Sequence, residues 1–87
     1  MTTPSDFEAA QIRVKQLPKT PAPNELLSLY GLYKQGCCGD VQGARPGALD
    51  FKGRAKHDAW SARQGLSREA AKQQYVELVQ QLVEKYG

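Results

Sequence analysis

The sequence lacks long apolar runs and has little cysteine. No segment approaches the roughly 18 consecutive apolar residues that a membrane span requires, and the N-terminus carries neither the basic nor the apolar region of a secretion signal. Its two cysteines, Cys37 and Cys38, are adjacent, and a bridge between neighbours is strained and closes no useful loop. We therefore expect a fold without disulfides, a reducing cytoplasmic compartment and no stable membrane insertion.

Histidine is also scarce, which narrows the possible chemistry. His57 is the single histidine, so a catalytic dyad or triad would have to use it, and no nucleophile stands beside it in the sequence. Together with the two cysteines it gives too few ligands, at the wrong spacing, for a structural zinc site. The glycine-rich stretch lacks the lysine and hydroxyl residue that close a Walker loop. We predict no catalytic residue, no metal and no cofactor, and interpret His57 as a surface or rim histidine.

The composition is that of one small globular domain. The chain has 87 residues, of which 40 % are hydrophobic and 24 % charged, enough for one modest core and too few for two domains. We predict a single domain over residues 1–87, and Met1 and Gly87 favour a stand-alone unit.

The net charge of +3 is concentrated in one segment. Residues 51–66 hold Lys52, Arg54, Lys56 and Arg63 against one acidic residue, whereas the rest of the chain is balanced. A short basic segment favours a compact anionic ligand over nucleic acid, which would need a basic stripe across several elements. The alternative interpretation is an ordinary solvated helix face.

Helix signals recur along the first half of the chain. A capping box at Ser5 and Glu8 predicts a helix whose apolar stripe runs from Phe7 to Leu17 and ends before Pro18. Residues 18–23 form a proline-rich linker. A second helix is predicted from an Asn24 cap to a stop at Gly36.

The second half predicts a long loop and two more helices. Glycines dominate residues 36–53, and no apolar period runs through them before Leu49. Asp50 caps a third helix from Phe51 to about Gln64 that places Phe51, Ala55, Ala59 and Ala62 on one side, and Gly65 ends it. Ser67 caps a fourth helix, whose apolar residues recur at steps of three and four to the chain end. The predicted class is an all-α, four-helix bundle.

One group of side chains stands out as a possible binding surface. Tyr30, Tyr33 and Lys34 share a face of the second helix, and Lys52 and Lys56 are one turn apart on the third. Tyrosines offer stacking faces and hydroxyls, and lysines offer charges to phosphate oxygens, so the set suits a ligand with a flat ring and phosphates. The alternative is that the tyrosines edge the core and the lysines are solvated.

Several motifs, in order, resemble the acyl-CoA-binding protein family over nearly the whole chain. They are YxxYKQ at residues 30–35, GD at 39–40, RPG at 45–47, DFxGxAK at 50–56 and DAW at 58–60, followed by Tyr75 and the terminal EKYG. The resemblance implies an up-down-down-up four-helix bundle that binds long-chain acyl-CoA thioesters without catalysis. It also implies a monomeric carrier that supplies acyl-CoA-using enzymes and binds no nucleic acid.

The resemblance also implies a set of ligand-binding residues. Adenine and the ribose 3′-phosphate would be held by Tyr30, Tyr33, Lys34 and Lys56. The other family positions are Lys15 and Lys52 at the head-group site, Tyr75 on the last helix, and Gly31 and Leu32, which contribute surface between the contacts.

Three departures from the family pattern put local packing and chain-length preference in doubt. His57 replaces a common tryptophan, Ala48 a frequent methionine, and Gly36-Cys37-Cys38 a less glycine-rich stretch. A rival interpretation from another class is a helical protein-interaction module that docks an acidic partner on the basic face.

Overall fold

Four helices make up the ordered framework of the protein. A computed structural model describes residues 4–87, with side chains from Asp6 onward. Its helices are α1 (Pro4–Lys15), α2 (Pro23–Cys38), α3 (Phe51–Ser61) and α4 (Arg68–Tyr86). No strand occurs within that range, which confirms the predicted all-α class. Among the same residues, no helix combines the length and apolar character that a membrane crossing needs.

Two predicted helix caps are confirmed. The Asp50 carboxylate accepts a hydrogen bond from the Gly53 amide at 2.9 Å and begins α3. The Ser67 hydroxyl accepts from the Ala70 amide at 3.1 Å and begins α4. Each cap satisfies an amide that has no partner within its helix. The capping box predicted at Ser5 depends on a side chain outside those described.

The predicted bounds of α2 are wrong at both ends. The helix starts at Pro23 instead of after Asn24, because proline already has a helical φ and the Glu25 carboxylate accepts from the Ala22 amide at 2.8 Å. It continues through Gly36 to Cys38, and Gly39, at φ +80°, ends it. Gly36 is buried, and a Cβ there would lie 3.0 Å from Cγ of Lys72. This glycine therefore permits close helix packing and does not stop the helix.

Helices α1 and α3 are shorter than predicted. α1 ends at Lys15 instead of Leu17, and the Gln16 amide bonds three residues back to the Arg13 carbonyl. α3 ends at Ser61 instead of about Gln64, and residues 62–65 continue as turns closed by Gly65 at φ +90°. Tight three-residue bonds of this kind commonly end helices, and periodicity does not register them.

The core lies where α4 packs against α1 and α2. The predicted stripe of α4 is confirmed, since Ala71, Tyr75, Val79 and Leu82 are buried. The residues that meet them are Phe7 and Ala10 of α1 and Leu29 and Leu32 of α2. At about 25 cal/mol per Å² of apolar area, this cluster is the main source of stability.

α3 lies outside this core. Within the described residues it contacts α2 alone among the helices and buries no side chain fully. Gly31 allows the contact, because a Cβ there would overlap the Ala59 carbonyl oxygen. Of the residues predicted to share one side of α3, Phe51 is 76 % exposed and Ala62 is also exposed. Phe51 lies eight residues, or about 12 Å, along the helix from the Ala59 crossing.

A buried amide fixes the end of α2 to the turn between α3 and α4. Gln35 is fully buried, and its Nε2 donates to the Asp40 carboxylate and the Leu66 carbonyl, each at 2.8 Å. Asp40 also accepts from the Gly65 amide at 2.8 Å. The Gly65 and Gln35 bonds lower the pKa of Asp40. The glutamine of YxxYKQ and the aspartate of GD therefore position the helices.

Candidate functional site

A groove of about 430 Å³ opens between α1, the loop that follows it, α2 and Tyr75 of α4. Its apolar wall consists of Val14, Leu17, Leu26 and Leu29. Lys15 and Lys19 bring two ammonium groups to it. The groove thus combines a hydrophobic surface with positive charge, as an amphipathic anionic ligand requires.

Three tyrosines form the aromatic side of the groove. Tyr30 and Tyr33 project from α2, and Tyr75, which is 5 % exposed, comes from α4. Tyr33 stacks on Phe7 with ring centroids 6.0 Å apart, and Phe7 meets Tyr75 edge to face at 5.1 Å. Burial raises the pKa of Tyr75, so its phenol stays protonated and can donate a hydrogen bond.

Two further lysines lie where α2 meets α3, one on each helix. Lys56 Nζ lies 5.4 Å from the centroid of the Tyr30 ring. Lys34 Nζ lies 4.8 Å from the centroid of the Trp60 ring on α3. Tyr30 lines the groove, and its ring also contacts Lys56 on α3. This residue therefore links the groove to the basic surface of α3.

Tyr33 and Lys34, which were predicted to share a face of α2, contact different neighbouring helices. The spacing is as predicted, but Tyr33 contacts Phe7 and Tyr75, whereas Lys34 lies on Trp60. The structure brings together Lys15, Tyr30, Tyr33 and Tyr75 in the groove, and Lys56 through Tyr30. Lys52 is exposed on α3, one turn from Lys56 and outside the groove lining.

Gly31 and Leu32 occupy packing positions. Gly31 faces the Ala59 backbone, and Leu32 is 3 % exposed in the core. Neither residue lines the groove.

The loop after α1 supplies groove residues that sequence reasoning missed. Lys19, Thr20 and Pro21 all line the groove, although residues 18–23 were interpreted as a linker. Pro21 is buried, so part of the predicted linker packs into the fold. A lysine and a threonine held between prolines of fixed φ were the available signal.

The basic side chains of the segment 51–66 form no ion pair within the described part of the chain. Arg45 forms an ion pair with Asp58 at 2.7 Å, and Lys85 forms one with Glu25 at 2.9 Å. Arg45 holds Asp58 through two hydrogen bonds, which lower the pKa of Asp58 and fasten the RPG loop to α3. Lys52, Arg54, Lys56 and Arg63 thus have no carboxylate within 4.0 Å among those residues.

His57 is half-buried, which is consistent with the predicted surface or rim position. Its Nε2 lies 3.4 Å from the Gly43 carbonyl, and its buried Nδ1 has no hydrogen-bond partner. The ring packs between α3 and the glycine-rich loop, close to Asp58, which is already bound by Arg45.

Comparison with known proteins finds relatives that match most of the chain. The acyl-CoA-binding protein family model matches residues 4–79. The chain is 50 % identical over 87 residues to the acyl-CoA-binding protein of Dictyostelium discoideum, covering 100 % of both chains. It is also 50 % identical over 81 residues to the acyl-CoA-binding protein homolog of Drosophila melanogaster, covering 93 % of this chain and 94 % of the homolog.

Solved structures agree in fold. Acyl-CoA-binding protein 2 of Oryza sativa superposes with a TM-score of 0.89 at 43 % identity, covering 93 % of this chain and 90 % of that one. The acyl-CoA-binding protein of Moniliophthora perniciosa gives a TM-score of 0.90 at 39 % identity, covering 98 % and 84 %. The family model, the full-length identities and the shared fold lead to one conclusion: this chain belongs to the acyl-CoA-binding protein family.

Proposed function

We propose that this protein binds long-chain fatty acyl-CoA thioesters in the groove and acts as a cytoplasmic carrier and pool former, without catalysing a reaction. The observation that carries the proposal is the joining of an apolar wall, three tyrosines and a basic rim in one groove of about 430 Å³. The similarity to acyl-CoA-binding proteins adds independent support.

The acyl chain lies along the apolar wall in this proposal. Val14, Leu17, Leu26 and Leu29 offer methyl and methylene surface, and Leu26 is 42 % exposed without ligand. Burying an acyl chain contributes about 0.8 kcal/mol per methylene, so a long chain supplies much of the affinity.

The CoA head group lies at the tyrosines and lysines. Tyr30 and Tyr33 offer ring faces and hydroxyls to adenine, and the ammonium of Lys56, near Tyr30, suits the ribose 3′-phosphate. Lys34 shares that role from its position on Trp60, and Lys15 binds a phosphate from the groove wall. Lys52, on the neighbouring turn of α3, adds to the positive electrostatic potential that attracts the phosphates.

Tyr75 closes the groove from α4. Its phenol is the polar group at the buried end of the aromatic cluster, and it donates a hydrogen bond to the ligand. Gly31 and Leu32 assist by holding α2 against α3 and the core, so that Tyr30 and Tyr33 meet Lys56 and Tyr75.

A calorimetric titration with palmitoyl-CoA tests the ligand class and the stoichiometry together. We expect one molecule to bind per chain. Dephospho-palmitoyl-CoA, which lacks the 3′-phosphate, should bind more weakly by one or more charge-assisted contacts, about 1.5–3 kcal/mol each, and salt should narrow the gap.

Free CoA and free palmitate serve as controls for the two halves of the ligand. Each should bind far more weakly than the thioester, because the linked ligand loses translational freedom once for both sets of contacts. Equal affinity for the two thioesters would remove Lys34 and Lys56 from the site. A chain that ignores acyl-CoA at micromolar concentration would instead favour the helical interaction module, since its unpaired basic groups could dock an acidic partner.

A further inference from the structure

Two thiols meet at the C-terminal end of α2, outside the groove. Cys37 Sγ and Cys38 Sγ are 2.9 Å apart, and both cysteines are free. Cys37 is exposed and Cys38 half-buried, so both sulfurs can be reached from solvent. Neither lines the groove, and the proposed function uses neither.

The surroundings favour ionisation of one member of the pair. The Cys37 hydrogen bond and the charges of Lys34 and Arg68 lower the pKa of Cys38, whereas burial is the main cause that raises the pKa of Cys37. Arg68 is held nearby, since its Nη2 donates to the Cys38 carbonyl at 3.2 Å. Two thiols in contact, one of them with a lowered pKa, form a soft, nucleophilic dithiol.

The pair does not suit a tetrahedral metal ion. Among the described residues, no group of three or more histidine, cysteine, aspartate or glutamate side chains could hold a metal, whereas structural zinc takes four ligands. Two thiolates on zinc, with bonds of about 2.3 Å at the tetrahedral angle, lie about 3.8 Å apart. The observed 2.9 Å separation is shorter than this and favours a centre that takes two sulfurs at a narrower angle.

Trivalent arsenic meets both conditions. In a monosubstituted arsenical, one bond goes to carbon and two can go to sulfur, and the pyramidal centre has bond angles near a right angle. We propose that Cys37 and Cys38 form a dithiol site that chelates monosubstituted trivalent arsenicals. The two S–H bonds are replaced by two S–As bonds, and the protons leave with the arsenical oxygen as one water. Arsenic remains trivalent throughout, so no oxidant or reductant takes part.

The backbone around the pair is compatible with this chelate. The thiols belong to the last two residues of α2, and Gly39 follows at φ +80° as the cap. Adjustment of the two side chains therefore disturbs one helix turn. The Gln35 tie to Asp40 and Leu66 lies one turn earlier and holds the rest of the helix end.

The probe for this site is phenylarsine oxide, with the adduct measured by intact mass spectrometry. We expect one arsenical per chain with loss of one water. The adduct should survive excess glutathione, a monothiol, and be removed by dithiothreitol, because the second S–As bond forms within the molecule. The apparent affinity of Cys37→Ser and of Cys38→Ser should each fall on the order of 10²-fold or more, as expected when an intramolecular second bond is lost.

A matched variant keeps two thiols but separates them. In Cys37→Ser/Ser28→Cys the remaining Cys38 and the new thiol lie ten residues apart on α2, or about 15 Å along the helix axis. This variant should lose glutathione-resistant binding while its circular dichroism stays native. Equal glutathione-resistant binding in this variant, or its retention in either single variant, would overturn the proposal. Absence of a one-to-one adduct on the folded parent chain would do the same.

Discussion

The two sides of α2 differ in what they bury. On one side, α1 and α4 enclose a continuous core that includes Phe7, Leu29, Val79 and Leu82. On the other side, α3 buries no side chain fully and meets α2 where Gly31 faces Ala59. The first side supplies stability, and the second presents Lys52, Lys56 and an exposed Phe51. A thinly packed helix can therefore carry the charge that the core excludes.

Truncating the core should give the largest effect on stability. Leu82 is 2 % exposed, and Leu82→Ala should lower the free energy of unfolding by about 2–5 kcal/mol, because a cavity replaces buried methyl groups. Leu49, which is 91 % exposed, provides the matched control. Leu49→Ala should change the free energy of unfolding by less than about 0.5 kcal/mol. Urea unfolding followed by circular dichroism measures both. Similar losses in the two variants would contradict the division between core and periphery.

Removing charge on α3 should act on ligand affinity and leave the core intact. Lys56→Ala should weaken palmitoyl-CoA binding by about 1.5–3 kcal/mol, and Tyr30→Phe by about 1 kcal/mol, through loss of one charge-assisted and one neutral hydrogen bond. Calorimetry gives the affinities. Lys72→Ala removes the same charge outside the groove and should bind as the parent does. Unchanged affinity in both site variants, with native circular dichroism, would refute the site assignment.

Gly31→Ala should make the unfolding of α3 separate from the unfolding of the core formed by α1, α2 and α4. The new Cβ meets backbone of Ala59, which cannot rotate away, so α3 must shift at a cost of about 1–3 kcal/mol. Trp60 is the single tryptophan and lies on α3, so its fluorescence reports that helix while far-ultraviolet circular dichroism reports all four. We expect the fluorescence transition in urea to move to lower concentration than the circular dichroism transition.

Gly47→Ala is the control for this substitution. A Cβ at Gly47 has no neighbour within 4 Å, so its two transitions should coincide with those of the parent. Coincident transitions in Gly31→Ala as well would mean that α3 unfolds together with the core.

Local signals predicted the fold well where one residue and its own helix decide the outcome. Asp50 and Ser67 were identifiable because their caps bond amides three residues ahead, and the α4 stripe followed from periodicity. Asn24 failed as a cap because Pro23 and Glu25 provide a competing start nearby. Gly36 failed as a stop because its role is tertiary, against Lys72 and Phe7, which the local sequence does not encode.

The sequence predicted which residue types form the candidate site better than it predicted which of them contact one another. Spacing placed Tyr33 and Lys34 side by side on α2, but not their partners, Tyr75 of α4 and Trp60 of α3. Lys19 and Pro21 line the groove together with residues of α2 and Tyr75 of α4, and this grouping depends on the packing of helices that are distant in sequence.

Glu25 near the start of α2 is bound to Lys85 and Tyr86 at the end of α4. These bonds should make the free energy of unfolding depend on pH in the acid range. Glu25 accepts from Lys85 at 2.9 Å and from the Tyr86 hydroxyl, and with the Ala22 amide these bonds lower its pKa from 4.5 to about 2. Between those values the unfolded chain binds a proton that the native state does not. This contribution to stability is therefore complete above pH 4.5 and is lost as the pH falls toward 2.

Glu25→Gln tests this contribution directly. The variant should be less stable than the parent at neutral pH, and the difference should shrink between pH 4.5 and 2. Urea midpoints measured across that range give the comparison. Asp40 also has a lowered pKa and titrates in both proteins, so it cancels in the difference. A difference that stays constant with pH would show that the Glu25 carboxylate does not act through its charge.

The smallest expected effect concerns the thiols. Cys37→Ser/Cys38→Ser should bind palmitoyl-CoA with unchanged affinity, because neither side chain lines the groove and serine is close to cysteine in size. Calorimetry on the reduced parent and the variant measures the comparison, and blocking the thiols of the parent with iodoacetamide repeats it without a mutation. Loss of binding after either treatment would place the thiols in the path of the ligand, through Lys34, whose charge acts on Cys38. Unchanged binding would show that acyl-CoA binding in the groove does not depend on the two thiols.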